Sequence, residues 1–202
     1  MKLYSNPRAP SPRRVRMFAA EKGLALTLID IDIGARANDG DEFRAVNPRG
    51  EVPVLELDDG RRLTQSIAIC RYLERLQPEP NLFGRDADEC YAIDATIDEL
   101  TQALYVPTVH AFRHGHEFWA GRFEQSAEYA AIAGRQVRDE YQRLNARLRD
   151  REFLCLDRLT MADVLGFTTV DFGRVCRLRP GEDLTDLLRW RDAIAARPSA
   201  RA

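Results

Sequence analysis

The first 76 residues alternate between strand-like and helix-like hydrophobic patterns, whereas only helical patterns follow residue 86. Residues 2–4 alternate as a strand, and residues 13–22 repeat with helical spacing before Gly23, a typical C-terminal stop. Residues 27–33 then alternate strictly between apolar and polar side chains, which predicts a second strand. This order predicts a βαβ unit with a right-handed crossover.

A hairpin and a helix follow this unit. Asp58, Asp59 and Gly60 separate two short strand-like runs at 53–57 and 61–64, and a short Asp-Gly turn between such runs is typical of a β-hairpin. Residues 66–76 carry the pattern of an amphipathic helix, which prolines at 78 and 80 terminate. The order βαβ-ββα predicts an α/β domain over residues 1–77, with a linker over 78–85.

The remainder of the chain predicts an all-α domain over residues 86–202. Its helical patterns cover residues 87–112, 123–148, 161–175 and 184–196. Thr160 and Asp163 stand at the spacing of a capping box, so the third of these helices is expected to begin just after Thr160.

Charge and hydropathy exclude several classes of function. Lysine and arginine total 30 against 32 aspartates and glutamates, and a formal net charge of −2 does not favour nucleic acid or an anionic membrane surface as a partner. No apolar run approaches the roughly 20 residues of a membrane-spanning helix, and no leader pattern is visible. We therefore expect a cytoplasmic protein.

The cysteines and histidines do not form a recognisable metal motif. The four cysteines are widely spaced without a Cys-x-x-Cys pair, which favours small buried side chains over disulfides or zinc ligands: Cys70, Cys90, Cys155 and Cys176. His110 and His114 have the i, i+4 spacing of helical metal ligands, with His116 close by. Gly115 interrupts this helix and no acidic ligand pattern follows, so no metal is predicted.

Four motifs, in order along nearly the whole chain, resemble those of the cytosolic glutathione transferase family. They are residues 47–55 before the hairpin, 65–69 at the start of a helix, 159–163 at the capping box, and Trp190 with residues 196–199 near the end. The resemblance implies a thioredoxin-like first domain followed by a helical domain. It also implies glutathione as co-substrate, a small electrophile as second substrate, and a homodimer.

The resemblance assigns part of a glutathione site to two of these motifs. Pro53 is able to adopt a cis peptide bond, or is an ordinary edge-strand proline; the family's proline at this place is cis. Val52 would then pair its backbone with the cysteinyl part of glutathione. Ser66 is either a helix N-cap or, with Gln65, the seat of the γ-glutamyl carboxylate at a helix N-terminus. An acid is common in the family where Gln65 stands.

The loop between the first strand and the first helix is where the family activates the thiol. Ser11 precedes Pro12, so it reads either as an N-cap or as the hydroxyl that stabilises the glutathione thiolate. The sequence departs from the family here, because Ala9 occupies the usual position of the activating serine or cysteine. Tyr4 and Ser5 are the alternatives.

The sequence does not determine which residue binds the glycyl carboxylate, or what the aromatic side chains of the helical half contact. Glu51 stands where relatives often place a Lys or Gln for the glycyl carboxylate, and the groups that could replace it are Arg36, Arg44, Asn47 and Arg49. The aromatic residues of the helical half are expected in core or dimer packing, or else in a substrate wall: Tyr105, Phe112, Phe118 and Trp119.

These observations together predict a glutathione transferase of detoxifying type, in which Ser11 stabilises the thiolate that attacks a small electrophile. A glutathione-dependent isomerase or peroxidase on the same fold is the enzymatic alternative. A glutathione-binding or interaction module without turnover is the alternative from another class.

Overall fold

The computed structural model describes all 202 residues, Met1–Ala202. The chain divides into two compact units, one formed by Met1–Asn81 with Pro198–Ala202 and the other by Leu82–Arg197.

A four-stranded mixed sheet forms the centre of the first unit. Its strands are β1 (Lys2–Ser5), β2 (Thr27–Asp30), β3 (Val54–Glu56) and β4 (Arg62–Thr64), in the spatial order β2-β1-β3-β4. β1 and β2 are parallel, as a βαβ unit requires, and β3 is antiparallel to both β1 and β4. The predicted βαβ-ββα order is thus confirmed, although β2 is shorter than the alternating run that predicted it.

Three helices belong to this unit: α1 (Pro10–Glu21), the single turn α2 (Asp41–Arg44) and α3 (Ser66–Leu76). The bounds of α3 are those that its amphipathic pattern predicts. α1 and α3 pack on each other, and the core is closed by fully buried side chains of the sheet and both helices, among them Leu3, Val15, Phe18, Leu55, Ile69 and Leu73. The sequence pattern did not predict α2.

The second unit is entirely helical, as predicted. Its helices are α4 (Ala87–Leu100), α5 (Val106–Gly115), α6 (Ala127–Arg147), α7 (Met161–Gly173) and α8 (Thr185–Ala195). α4 and α5 replace the one helix predicted over residues 87–112, because a π-helical turn, Thr101–Tyr105, separates them. Pro107 has no N–H to donate one turn back, and a widened turn beside a proline relieves this loss.

The start of α7 is held by the predicted capping box. The Asp163 carboxylate accepts hydrogen bonds from the backbone N–H and the hydroxyl of Thr160, both at 2.9 Å. Its second oxygen accepts from the backbone N–H of Leu154, 2.9 Å away. All three residues are buried, so this cap also fixes the preceding loop to the helical core.

The last five residues pack on α1, whereas the sequence pattern counts them with the helical half. Arg13 donates to the backbone oxygen of Ala200 at 3.1 Å, and the Ser199 hydroxyl donates to the carboxylate of Glu21. Both Ser199 and Ala200 are buried by these contacts.

All four cysteines are free thiols. Cys70 is completely buried, and burial raises the pKa of its thiol well above the ordinary range. The other three are half-buried, and burial raises the pKa of Cys176 to about 12. None of the helices combines the length and the apolar character needed to cross a bilayer.

Candidate functional site

Three segments that are far apart in the sequence meet at one edge of the sheet. Tyr4 pairs with Val54, so the end of β1 lies beside the start of β3. Val54 also pairs with Thr64, so the end of β4 reaches the same edge. The loop leading to Ser11, the Val52–Pro53 peptide and the start of α3 therefore converge within the first unit.

Ser11 lies in the first turn of α1 but does not cap it. The N-cap is Ala9, whose extended backbone (φ −84°, ψ 135°) precedes Pro10 as the first helical residue. The N-cap interpretation of Ser11 is therefore wrong, because the proline that sets the first helical φ is Pro10 rather than Pro12. The Ser11 side chain is half-buried at the positive end of α1.

The two alternative hydroxyls belong to β1, and each has a partner within the chain. The Tyr4 hydroxyl donates to Oε2 of Glu56 at 3.1 Å, and burial together with this carboxylate raises the pKa of Tyr4. Ser5 is buried, and its Oγ accepts a 2.6 Å hydrogen bond from Arg16. Of the three hydroxyls considered, Ser11 is the one carried by the N-terminal turn of α1.

The peptide bond between Val52 and Pro53 is cis, as the family resemblance implied. Pro53 is buried and Val52 is half-buried at the start of the segment that enters β3. Neither the backbone N–H nor the C=O of Val52 makes a hydrogen bond within the chain. One donor and one acceptor are thus presented side by side, as an added strand requires.

The start of α3 combines backbone strain with unpaired helical amides. Gln65 is the N-cap and has a left-handed φ of 67° with ψ 106°, a conformation that non-glycine residues rarely adopt. Ser66 is the first helical residue, so its N-cap interpretation is wrong. Its side chain is buried, whereas Gln65 is exposed. The N–H groups of this first turn form a seat for an anion.

Arg14 is a component of this site that the sequence analysis missed. It is 2% exposed, and its Nη1 donates to Oγ of Ser66 at 2.7 Å. The sequence carries a signal for this burial, since Arg14 and Phe18 lie four residues apart on the face of α1 that packs inward, and the buried Lys22 continues this interval just after the helix ends. Arginine is usually a surface residue, so its presence in the sequence does not by itself indicate that this side chain is buried.

The candidates for a second carboxylate contact are all engaged in local pairs. Arg49 binds the Glu51 carboxylate through two nitrogens, at 3.1 and 3.4 Å, and this pairing raises the pKa of Arg49. Arg36 and Arg44 both pair with Asp39, at 3.3 and 3.5 Å. Arg49 therefore offsets the charge with which Glu51 would repel a ligand carboxylate.

Asn47 contributes to the shape of the same loop. Its Nδ2 donates to the backbone oxygen of Glu51 at 2.7 Å, and its side-chain oxygen accepts from the backbone N–H of Arg49. Asn47 is buried, so it supports the loop that leads to Val52.

The histidines of the helical unit each have a local partner. Nδ1 of His110 lies 2.8 Å from the hydroxyl of Tyr129, and Nδ1 of His114 accepts from the backbone N–H of Ser126. Nδ1 of His116 accepts from the backbone N–H of Phe118. No group of three or more potential metal ligands occurs.

The aromatic residues around Phe112 pack mainly on one another. The Phe112 ring lies 5.9 Å from Phe118 and 6.0 Å from Trp119, and Phe172 contacts its other side at 5.1 Å. All four of these side chains are half-buried, so they form a cluster of rings at the periphery of the helical unit rather than part of its buried core.

Chemically, the sheet edge offers a strand-like backbone pair, an anion seat and a hydroxyl at a helix N-terminus. Such a set suits a short extended peptide with an acidic head and a group that becomes negatively charged.

Comparison with known proteins identifies, over both units, the family that the sequence motifs resemble. Residues 9–76 match the sequence profile of "Glutathione S-transferase, N-terminal domain", and residues 96–198 match that of "Glutathione S-transferase, C-terminal domain". Over its whole length the chain is 28% identical to "Glutathione S-transferase 2" of Saccharomyces cerevisiae, of which it covers 88%.

Two further similarities extend the comparison. The crystal structure of a glutathione S-transferase domain-containing protein from Marinobacter aquaeolei superposes with a TM-score of 0.93 at 31% identity, covering 99% of this chain and 100% of that one. A segment of 91 aligned residues, 43% of this chain and 42% of the relative, is 42% identical to "Maleylacetoacetate isomerase" of Pseudomonas aeruginosa.

Proposed function

This chain belongs to the glutathione S-transferase family, and we propose that it conjugates the thiolate of glutathione to a small electrophile. The observation that carries the proposal is the meeting of Val52, Ser66 and the first turn of α1 at one sheet edge. The three segments would hold the cysteinyl backbone, the γ-glutamyl carboxylate and the sulfur, respectively.

Glutathione would lie extended along the Val52–Pro53 segment. Its cysteinyl N–H and C=O would pair with the C=O and N–H of Val52, which the chain leaves without internal partners. Its γ-glutamyl carboxylate would lie on the N–H and hydroxyl of Ser66, where the positive end of α3 favours an anion. Gln65 would contact the ammonium of the ligand as a neutral partner.

Ser11 would donate its hydroxyl proton to the cysteinyl sulfur. Lowering the pKa of a thiol from about 8.5 to about 6.5 requires roughly 2.7 kcal/mol of preferential stabilisation of the thiolate. A hydrogen bond to a charged partner contributes about 1.5–3 kcal/mol, and a helix N-terminus about 0.3–1 kcal/mol. The two effects together are of the required size, so no additional base is needed.

A second candidate function is glutathione-dependent isomerisation of a maleyl-type substrate. The partial similarity to maleylacetoacetate isomerase favours it, while Ala9, which stands where the family resemblance places an activating serine or cysteine, weighs against it. Reduction of a hydroperoxide is a further candidate activity on the same fold, and the assays described next also test it.

The proposal is tested by calorimetry with glutathione, followed by turnover assays with an aryl halide, a maleyl-type substrate and a hydroperoxide. We expect saturable glutathione binding and conjugation of the aryl halide above the uncatalysed rate. Turnover of the maleyl substrate alone would replace conjugation by isomerisation. Binding without turnover of any substrate would indicate a non-catalytic module, and absence of binding would overturn the proposal.

We also propose that the protein acts in the cytoplasm as a homodimer, as is usual in the family. Light scattering on the purified protein tests the assembly: twice the chain mass of 23.0 kDa is expected, and the mass of a single chain would contradict it.

A further inference from the structure

A charged side chain is buried beneath the anion seat of the first unit. Arg14 begins the second turn of α1 and Ser66 begins α3; these side chains are 2% and 7% exposed. Nη1 of Arg14 donates to Oγ of Ser66 over 2.7 Å, within the packed contact between α1 and α3. Burial of a guanidinium costs free energy. A buried arginine at this position therefore indicates a physical role for its charge or its hydrogen bond.

The neighbours of Arg14 define where its charge acts. Cys70 and Glu74 follow Ser66 at intervals of four, so all three share one face of α3. Glu74 forms an ion pair with the buried ammonium of Lys22. The charge of Arg14 opposes the rise in the pKa of Cys70 that burial causes, which is consistent with a guanidinium lying along this face.

The hydrogen bond determines how Ser66 meets a ligand. A serine hydroxyl has one proton to donate and two lone pairs to accept with. A guanidinium only donates and remains charged throughout the working pH range, so Ser66 must act as acceptor toward Arg14. The single proton of Ser66 is then directed to another acceptor.

We infer that Arg14 is a positioning residue that sets the Ser66 hydroxyl as a donor to the γ-glutamyl carboxylate. This inference rests on the proposed function, since it concerns the same glutathione site. Arg14 acts through Ser66 and does not itself touch the ligand.

The test compares glutathione with γ-aminobutyryl-Cys-Gly, which lacks only the α-carboxylate of the γ-glutamyl group. Calorimetry is performed with the wild type, Arg14→Met and the control Arg75→Met, which removes an exposed arginine from the last turn of α3. For Arg14→Met we expect the Kd of glutathione to rise about tenfold, the size of one charge-assisted hydrogen bond, with the Kd of the analogue unchanged. Arg75→Met should bind both ligands like the wild type.

A merely structural role would weaken both ligands equally, and this result, or unchanged binding of glutathione, would overturn the inference. Ser66→Ala provides a second criterion, because adding Arg14→Met to it should cause little further loss of glutathione affinity. If Arg14→Met does not fold, Arg14→Lys takes its place: a smaller loss confined to glutathione supports the inference, and an equal loss for both ligands overturns it. A wild type that does not bind glutathione would instead overturn the proposed function.

Discussion

The indole N–H of Trp190 donates a hydrogen bond to Oδ1 of Asp163 over 3.1 Å, with both side chains completely buried. The carboxylate of Asp163 thus joins α8 to the start of α7 as well as to the loop at Leu154. One side chain serves as acceptor for four buried donors, counting the two from Thr160.

Loss of this carboxylate should therefore destabilise the protein severely. We expect Asp163→Ala to lower the free energy of unfolding by about 3 kcal/mol or more, since each buried donor left without a partner costs about 1–3 kcal/mol. Urea unfolding followed by tryptophan fluorescence measures the effect. Asp157→Ala, which removes an exposed carboxylate from the preceding loop, is the control. A loss for Asp163→Ala no larger than that of the control would contradict the prediction.

The role proposed for Ser11 predicts a specific change in the ionisation of bound glutathione. Ser11→Ala should reduce turnover at least about tenfold and raise the pH at which the bound thiol ionises, because the thiolate loses a charged hydrogen bond. Thiolate absorbance of the complex, followed against pH, measures this. Tyr4→Phe and Ser5→Ala are matched controls, since the Tyr4 hydroxyl donates to Glu56 and the Ser5 side chain is buried in β1. A shifted profile in a control but not in Ser11→Ala would move the role to that residue.

Replacing Gln65 by glutamate tests the effect of charge at this position, because the two side chains have nearly the same shape. Gln65→Glu should lower the Kd of glutathione about two- to fivefold, the range of an exposed ion pair, because the carboxylate would face the ligand's ammonium. The left-handed backbone strain is the same for both residues, so charge is the main difference. The gain should shrink at high salt. Weaker binding by this variant at low salt would show that the ammonium does not lie beside residue 65.

The pair of Glu89 and Arg158 predicts a dependence of stability on pH. Arg158 donates to both carboxylate oxygens of Glu89, at 2.9 and 2.5 Å, and Arg85 adds a backbone N–H. The Arg158 hydrogen bonds, assisted by that of Arg85, lower the pKa of Glu89 to about 2. Since the unfolded value is about 4.3, the stabilisation is complete above about pH 5 and is lost as the pH falls toward 2.

Glu89→Gln should accordingly be less stable than the wild type near neutral pH, and the difference should shrink between about pH 5 and about pH 2. Thermal unfolding across this range measures it. Asp88→Asn, in the same helical turn, is the control. A difference between wild type and Glu89→Gln that stays constant over this range would contradict the assignment.

Much of the first unit follows from local patterns, whereas the centre of its site does not. The amphipathic repeat of residues 66–76 and the Asp-Gly turn predict α3 and the hairpin, because side-chain periodicity and turn chemistry are local properties. The bond between Arg14 and Ser66 joins residues 52 positions apart, and only the packing of two helices determines it. The N-cap interpretation of Ser11 was wrong because two prolines, Pro10 and Pro12, competed as the first helical residue, and the local pattern does not decide between them.

In the helical unit, the π-helical turn at Thr101–Tyr105 is the clearest feature that the pattern does not contain. One additional residue in a turn barely changes the hydrophobic repeat, and Pro107 was its only local sign. The capping box at Thr160 was predictable because its two partners are three residues apart. The hydrogen bond between Asp163 and Trp190 was not predictable, because it depends on how α8 packs against α7.

The meeting of three segments at one sheet edge also gives a practical readout. Each segment reaches the site only when β1, β3 and β4 pair in their native register, so a resin carrying glutathione would retain only molecules in which that pairing is complete. On the proposed function, the retained fraction of a variant would therefore measure conformational integrity of the sheet separately from catalytic rate.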